Sequence, residues 1–237
     1  MSNSYFEMKQ MRIEQADCAM KVSTDACIQG TWTPILTNVK TVLDIGTGTS
    51  LLSLMLAQRG DGLEIDALEI DRQAAAQARQ NVSDSPFSKR INIIHTDAKK
   101  WEASKKYDLI ISNPPFFTKS LKGDNEQRNA ARHNDDFTQD DLCKLIFENL
   151  SDTGYASVLL PVSEKENWLK VAAQNGLFQH ACLSVLPYES SKPNRNTWIC
   201  SKQSTKTCSE KQLIIYKSPG IYTVEFTELM HPFYLNL

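Results

Sequence analysis

The sequence predicts an α/β protein in which a mostly parallel sheet is covered by helices on both faces. From position 41 onward, short apolar β-prone runs alternate with segments of helical character, as is typical of parallel strands joined by crossover helices. Gly46 and Gly48 stand between the first such run and the first helix, where α/β proteins often bind a ligand. The length of 237 residues and the hydrophobic content of 41% suit one domain with a large core.

The individual elements follow from local composition. Predicted strands are the apolar runs at residues 42–45, 64–70, 91–95, 107–112, 155–160, 178–186, 198–202 and 213–216. Predicted helices cover residues 51–57, 72–81, 141–150 and 164–175, and a short helical segment is expected at 28–36. Ala and Gln favour the helix at 72–81, and Gly176 stops the helix at 164–175. The polar stretch 118–135 is expected to form a long mobile loop on the substrate side.

Charge and cysteine usage exclude several classes of protein. A net charge of −2 and a pI near 6.1 provide no global attraction for nucleic acid, so a polyanionic partner would need a local basic patch. The six cysteines form no C-x-x-C pair, which argues against a zinc site, and no metal is expected. The sequence contains no signal peptide and no membrane-length apolar run. We therefore expect a cytoplasmic protein with reduced thiols and no membrane partner.

Three acidic residues lie beside the predicted glycine loop. Asp44 precedes Gly46 on the first strand, where it would repel a pyrophosphate but tolerate a ligand with an ammonium group. Glu69 ends the second strand at the spacing of an acceptor for ribose hydroxyls, and Asp97 follows the third strand, where it can accept from an adenine amino group. Adenine, ribose and a charged amino-acid tail together describe S-adenosylmethionine. Asp44 and the missing third glycine of the dinucleotide fingerprint disfavour a nicotinamide-binding oxidoreductase.

The fourth predicted strand ends in Asn113-Pro114-Pro115-Phe116, which predicts a rigid loop. Each residue before a proline is held away from helical geometry, so the carbonyls of Asn113 and Pro114 stay extended beside the Asn113 amide. Such a cluster of hydrogen-bond acceptors, followed by an aromatic ring, suits the binding of a planar amine. For the motif read alone, a strand-terminating turn is the alternative.

In this order, the glycine loop, Glu69, Asp97 and the Asn-Pro-Pro-Phe motif resemble the class I methyltransferases that act on planar exocyclic or amide nitrogens. The resemblance spans about residues 41–160 and implies a Rossmann-like sheet of seven strands, the last one antiparallel. It also implies that the Asn113 side-chain oxygen and the Pro114 carbonyl accept two amino hydrogens while Phe116 stacks on the base. The expected catalytic residues are Asn113, Pro114, Pro115 and Phe116.

The flanks resemble one branch of these enzymes, the tRNA(Val) adenine-37 N6-methyltransferase family. The matching segments are residues 6–13, 20–25, 128–133, 192–195 and 233–235, so the resemblance covers nearly the whole chain. It implies methyl transfer from S-adenosylmethionine to N6 of adenine 37 in tRNA(Val). Residues 1–40 are then an extension that packs on a methyltransferase domain at 41–237. Two features depart from the family pattern: Met11 replaces an expected aromatic residue, and segment 203–211 is unusually polar.

RNA-binding residues are expected in basic regions along the chain. Between positions 192 and 217, six cations are balanced only by Glu210. The expected RNA-binding residues are Lys9, Arg12, Arg128, Arg132, His133, Lys192 and Arg195. Lys21 and Thr24 are assigned to the carboxylate of S-adenosylmethionine, and a monomer is expected to bind tRNA(Val). Contacts with phosphates should weaken steeply as salt concentration rises.

Three alternatives share part of this pattern. A guanine-N2 methyltransferase of ribosomal RNA and a glutamine-N5 methyltransferase of a release factor use the same kind of acceptor cluster. This cluster, formed by the Asn113 side chain and the Pro114 carbonyl, is called the clamp below. Enzymes of the glutamine class usually carry an N-terminal helical domain that 40 residues cannot supply. A non-catalytic S-adenosylmethionine-binding protein associated with RNA would depend on Gly46 but would tolerate Asn113→Ala.

Overall fold

A mostly parallel sheet forms the centre of the structure, a computed structural model that describes residues 3–114 and 137–237. The strands are β1 (Tyr5–Glu7), β2 (Arg12–Glu14), β3 (Thr41–Ile45), β4 (Glu64–Glu69), β5 (Ile91–His95), β6 (Tyr107–Ser112), β7 (Leu150–Pro161), β8 (Phe178–Leu186), β9 (Arg195–Ser201), β10 (Ser209–Ile214), β11 (Tyr216–Ser218) and β12 (Ile221–Tyr222). The helices are α1 (Thr24–Trp32), α2 (Leu51–Arg59), α3 (Arg72–Ser83), α4 (Gln139–Asn149), α5 (Lys165–Gln174) and α6 (Val224–Met230). Within these two ranges, none of the helices combines the length and apolar character needed to cross a bilayer.

Within the described residues, eight strands form the central sheet in the order β10-β8-β9-β7-β6-β3-β4-β5. β9 runs antiparallel to both of its neighbours, whereas every other neighbouring pair is parallel. In chain order β9 is the seventh strand of this sheet, so the predicted antiparallel seventh strand is confirmed. The resemblance implied seven strands, and the described sheet has an eighth, β10, which lies parallel to β8 at the edge and overlaps the strand predicted at 213–216.

The edge strand β10 begins at Ser209, four residues before the predicted start. Its first four side chains are exposed, and Leu213 is the first one buried in the core. An edge strand pairs on one side only, so polar side chains are favoured there and the apolar signature of a strand is lost. The unusually polar segment 203–211 therefore contains the start of an edge strand.

Helix α1 begins at Thr24 rather than at residue 28. The Ser23 Oγ caps the helix, since it accepts a hydrogen bond from the Ala26 N–H at 3.2 Å. Pro34 follows the last turn, and proline cannot continue a helix. Apolar periodicity is weak because the buried residues follow one another around the helix and include small and polar side chains: Ala26, Cys27, Ile28, Gln29 and Gly30.

The N-terminal residues share the core of the sheet. Met8, Met11 and Ile13 are buried in the same hydrophobic cluster as side chains of α2 and β3. The Asn81 side chain of α3 pairs with the backbone of Glu14: its Oδ1 accepts at 2.9 Å and its Nδ2 donates at 2.8 Å. Met11, which departs from the family pattern, is therefore a core residue. The division of the chain at residue 40 stays a prediction.

The carboxyl ends of the parallel strands meet along one edge of the sheet, called the site edge below. This edge carries the loops that follow β3, β4, β5, β6 and β8, together with the start of antiparallel β9. In open α/β sheets, ligands bind in the crevice outside the carboxyl ends of the strands. The fold thus brings segments from distant parts of the sequence to one candidate site.

Candidate active site

The loop between β3 and α2 depends on two glycines with left-handed backbone. The φ angle is +73° at Gly46 and +56° at Gly48, a region that L side chains rarely adopt. The N–H groups of Gly46 and Thr47 donate to the Leu68 carbonyl at 3.0 and 2.9 Å, which holds the loop against β4. A Cβ added at either glycine would meet no atom within 4 Å. The loop therefore borders open space at the site edge.

Ser50, the last residue before α2, also has a left-handed backbone, with φ at +66°. It is fully buried, and its Oγ has no hydrogen-bond partner in the described part of the chain. We expect Ser50→Gly to stabilise the fold by about 1 kcal/mol, because a left-handed non-glycine residue costs roughly 1–2 kcal/mol. Thermal unfolding should show a midpoint about 2–4 °C higher. Ser83→Gly in α3 should not raise the midpoint, and an unchanged midpoint for Ser50→Gly would contradict strain at this position.

Asp44 lies fully buried beneath the glycine loop. Its Oδ2 accepts hydrogen bonds from Thr47 Oγ1 at 2.6 Å and Ser53 Oγ at 2.7 Å, and its Oδ1 has no partner among the described residues. Burial raises the pKa of Asp44 to about 6, although these hydrogen bonds oppose the rise. The visible contacts fix the loop to the start of α2. The predicted contact of Asp44 with a cofactor stays a prediction.

The raised pKa of Asp44 makes one part of the stability depend on pH. The unfolded chain loses this proton near the ordinary pKa of 3.8, so the folded protein binds one more proton between about pH 4 and pH 6. This contribution, about 3 kcal/mol, is complete below the unfolded pKa and is lost as the pH rises through about 6. Urea unfolding from pH 4 to pH 8 should show the stability of wild type falling relative to Asp44→Asn across that window. A difference that does not change with pH would refute this assignment.

Glu69 ties the glycine loop to the end of β4. Its Oε2 accepts from the Gly48 N–H at 2.8 Å, and its Oε1 accepts from the Asp71 N–H at 2.9 Å. Only 9% of the residue is exposed. Each carboxylate oxygen has a further lone pair, so Glu69 can also accept hydrogen bonds from hydroxyl groups of a ligand.

A cavity of about 880 Å³ lies at the site edge and collects most of the predicted ligand-binding residues. The predicted residues that line it are Lys21, Gly46, Gly48, Glu69, Asp97, Asn113 and Pro114. At its rim, Asp97 accepts from the Lys99 N–H at 3.0 Å, and Lys21 Nζ donates to the Asn3 carbonyl at 3.3 Å. Among the described residues, Asp44 and Thr24 were also predicted to contact the cofactor, but neither lines the cavity.

One wall of the cavity consists of residues that, apart from Lys21, the sequence did not identify. Residues 16–22, between β2 and α1, line it together with Phe137. Within this segment, burial raises the pKa of the Cys18 thiol to about 11, so the side chain is a neutral thiol at physiological pH. The segment has no regular periodicity, and only the match at 20–25 indicated that it lies near the site.

The clamp motif begins where β6 leaves the sheet. Ser112, the last residue of β6, lies between Ile45 of β3 and Val158 of β7 in the register. Its Oγ donates to the Ile45 carbonyl at 2.8 Å. Asn113 is half-buried and Pro114 is buried, and both line the cavity. Pro115 and Phe116 lie outside the described residues.

The predicted RNA-binding residues lie in different parts of the structure. Lys9 Nζ donates to the His231 carbonyl at 2.6 Å, and the Arg12 guanidinium pairs with Glu14 at 2.7 Å. Arg195 starts β9 at the site edge, and its Nε lies 3.7 Å from an Asp25 carboxylate oxygen. Lys192 is exposed in the loop before β9. Arg128, Arg132 and His133 lie outside the described residues.

The six cations between positions 192 and 217 do not form one surface. Because β9 is antiparallel, Arg195 at its start lies at the site edge, whereas Lys202 beyond its end lies at the opposite edge. The Lys202 Nζ donates to the Leu150 carbonyl at the start of β7. Proximity in sequence therefore overstated the size of the basic patch near the cavity.

Comparisons with known proteins agree with this architecture. The family model described as methyltransferase small domain matches residues 32–132. A predicted O-methyltransferase from Agrobacterium tumefaciens superposes with a TM-score of 0.68 at 15% identity, covering 88% of this chain and 96% of that chain. A glycopeptide N-methyltransferase, MtfA, in complex with S-adenosylmethionine has a TM-score of 0.58 at 12% identity and covers 78% of this chain and 97% of that chain. The Rossmann-like class I methyltransferase fold is thus confirmed.

Relatives in sequence extend the match to both ends of the chain. A protein from Bacteroides fragilis is 39% identical over 240 residues, covering 100% of both chains. A protein from Flavobacterium psychrophilum is 37% identical over 98% of this chain and 100% of its own length. Each is named tRNA1(Val) (adenine(37)-N6)-methyltransferase. Identity of this degree along the whole chain, including the N-terminal segment and the C-terminus, means that the protein belongs to the tRNA1(Val) (adenine(37)-N6)-methyltransferase family.

Proposed function

We propose that this protein transfers a methyl group from S-adenosylmethionine to N6 of adenine 37, next to the anticodon, in tRNA1(Val). The observation that carries the proposal is that Asn113 and Pro114 line the same cavity as Gly48 and Glu69. This placement supports a role for Asn113 and Pro114 as a clamp for a planar amine beside a loop that binds a nucleoside. The full-length relatives of that name support adenine 37 as the acceptor.

The described residues fit S-adenosylmethionine. The cavity has a volume within the roughly 300–1,000 Å³ range of small-molecule sites, and the glycine loop borders it without side chains at Gly46 or Gly48. Glu69 would accept the ribose hydroxyls, and Asp97 would accept from the adenine amino group. Lys21 would pair with the carboxylate of the amino-acid tail. When bound, S-adenosylmethionine supplies a methyl group on a charged sulfonium, which is an excellent leaving group.

Asn113 and Pro114 act on the acceptor nitrogen. The lone pair of an adenine amino group is delocalised into the ring, which makes the nitrogen a poor nucleophile. The Asn113 side-chain oxygen and the Pro114 carbonyl accept its two hydrogens and bias the nitrogen toward tetrahedral geometry. Most of the rate acceleration then comes from positioning the nitrogen in line with the methyl group. The nitrogen loses its extra proton after the methyl group has been transferred. Stacking of the base on Phe116, worth about 1–3 kcal/mol, stays part of the proposal.

Binding of tRNA depends on cations at the site edge. Lys192 is exposed there. The Arg195 Nε lies 3.7 Å from an Asp25 carboxylate oxygen, which is longer than a hydrogen bond, so a phosphate could compete for this guanidinium. Lys9 and Arg12 have protein partners that a phosphate would have to replace. Adenine 37 lies in the single-stranded anticodon loop, so its extrusion costs less than opening a duplex. We place the protein in the cytoplasm, where it acts as a monomer.

Labelled methyl transfer tests the proposal directly. The recombinant protein is incubated with labelled S-adenosylmethionine and total tRNA from a strain that lacks the corresponding gene, and the nucleosides are then identified. The expected product is N6-methyladenosine at position 37 of tRNA1(Val). Label in guanine N2 of ribosomal RNA or in a protein glutamine would overturn this function in favour of another acceptor. Absence of transfer to any of these substrates would favour a non-catalytic role.

A further inference from the structure

A buried glutamine of α1 connects the strand that precedes the clamp to its neighbour in the sheet. Gln29 has no exposed surface. Its Nε2 lies 3.0 Å from the Ser112 carbonyl at the end of β6 and 3.2 Å from the Ser157 carbonyl in β7. The Ser112 carbonyl belongs to the peptide group that carries the Asn113 N–H. One side chain therefore holds the peptide from which Asn113 projects.

The orientation of the Gln29 amide follows from its two acceptors. The two shorter contacts are backbone carbonyls, which only accept hydrogen bonds, so the NH₂ group must face them and supply one hydrogen to each. The Ser157 Oγ lies farther from Nε2, at 3.5 Å. A flipped amide would place its oxygen against two carbonyl oxygens. The Oε1 consequently points away from both, and it is buried with no hydrogen-bond partner among the described residues.

Two hydroxyl groups fix the backbone of Gln29 to the same strand. Thr33 Oγ1 donates to the Gln29 carbonyl at 2.8 Å, and Thr33 Oγ1 lies 2.7 Å from Ser157 Oγ. Because Thr33 uses its single hydrogen on the carbonyl, Ser157 must be the donor in the second bond. Gln29 is thus held to β7 at both its side chain and its backbone. This arrangement leaves the side chain little freedom to follow a movement of Ser112.

Stability alone does not explain a glutamine at this place. A buried Oε1 without a partner is unfavourable, since it gives up its bonds to water and gains none in the protein. An apolar side chain would avoid that loss at the helix position. What glutamine adds is a donor for the carbonyl immediately before Asn113, on the strand whose Ser112 Oγ also binds Ile45 of β3.

We infer that Gln29 is a positioning residue for methyl transfer, which holds the Ser112–Asn113 peptide so that the two acceptors of the clamp keep their spacing. This role rests on the proposed function. Gln29 does not line the cavity, so no direct contact with substrate or cofactor is expected of it. It acts through Asn113, and we expect it to lower the barrier to methyl transfer without affecting the affinity for S-adenosylmethionine.

Gln29→Met tests the role, because methionine has a similar shape but no donor for the two carbonyls. We expect kcat for tRNA1(Val) methylation to fall by about 10- to 100-fold, as misplacement of a reacting group by about 1 Å does. The KM for S-adenosylmethionine and the Kd for S-adenosylhomocysteine should stay at the wild-type values. Equal losses of kcat and of affinity for S-adenosylhomocysteine would overturn the inference, because Gln29 would then stabilise the whole site rather than position Asn113.

A second measurement does not depend on activity. The side-chain amide signal of Asn113, identified by its loss in Asn113→Ala, should shift or broaden in the ¹⁵N spectrum of the ligand-free Gln29→Met protein. The matched control is Asn149→Leu, which removes a buried amide that donates to Leu145 in α4 at the opposite edge of the sheet. That variant should keep the Asn113 signal and the wild-type kcat. An unmoved Asn113 signal in Gln29→Met overturns the inference, whereas failure of wild type to methylate tRNA1(Val) overturns only the proposed function.

Discussion

Asn113→Ala is expected to lower kcat by about 10²- to 10³-fold, the loss typical of removing one preorganised group aimed at the reacting atoms. The side chain directly follows β6 and lines the cavity beside Pro114. Without its oxygen, one amino hydrogen of adenine has no acceptor, and the nitrogen lone pair stays delocalised into the ring. Binding of S-adenosylhomocysteine should not change, because the loop at Gly48 and the carboxylate of Glu69 remain intact. Single-turnover assays and calorimetric titration measure the two quantities.

Two variants sharpen this test. Asn113→Asp retains acceptor oxygens at the same position, so it should keep more activity than Asn113→Ala. Asn92→Ala removes an exposed asparagine whose Nδ2 donates to Asp66 within the sheet, and it should leave kcat unchanged. A wild-type kcat in Asn113→Ala would exclude Asn113 as an acceptor of the amino hydrogens in the transition state.

Glu69→Ala should raise the Kd for S-adenosylhomocysteine by about 10- to 100-fold. Hydrogen bonds to a charged group contribute about 1.5–3 kcal/mol, and a tenfold change in affinity corresponds to about 1.4 kcal/mol. Two effects combine here, since the ligand loses an acceptor for its ribose and the Gly48 and Asp71 N–H groups lose the carboxylate that fixes the loop. Calorimetry gives the affinity, and urea unfolding should show a lower free energy of unfolding.

The same strand supplies the control for this variant. Glu64 begins β4 at the opposite edge of the sheet, and its exposed side chain lies 4.0 Å from the Lys105 Nζ. Glu64→Ala should therefore preserve both the affinity for S-adenosylhomocysteine and, to within a small change, the stability. Comparable losses of affinity in the two variants would show that net charge, rather than the position of Glu69, governs binding.

Sequence patterns predicted the fold best where strands are buried on both faces. The run Leu109, Ile110 and Ile111 has no exposed surface, and a continuous apolar run is the signature of such a strand. The patterns failed for β1 and β2, which have three residues each, and for the start of β10, which is polar and lies at an edge. Short and edge strands depend on their neighbours more than on their own composition.

The same contrast applies to the candidate site. Gly46, Glu69, Asp97 and Asn113 were predicted to meet because the carboxyl ends of parallel strands lie at one edge of the sheet, and they line one cavity there. Their roles in binding and catalysis stay predictions. The sequence gives no such indication for Gln29, because a single glutamine in a short helix can equally well be exposed to solvent or buried. Residues 16–22 line the cavity through tertiary packing of an irregular segment, which local composition does not encode.

The hydrogen bond from Ser112 to the Ile45 carbonyl has a consequence for how specificity can evolve in this enzyme. It joins the ends of β6 and β3, two adjacent strands separated by about 4.8 Å, so the acceptor clamp and the donor loop share one rigid frame. Under the proposed function, segments at the periphery, such as the loop before β9, can change in sequence without disturbing the alignment of S-adenosylmethionine and the acceptor nitrogen. Selection of the RNA would then depend on different segments from those that align the methyl transfer, so either could change while the other is retained.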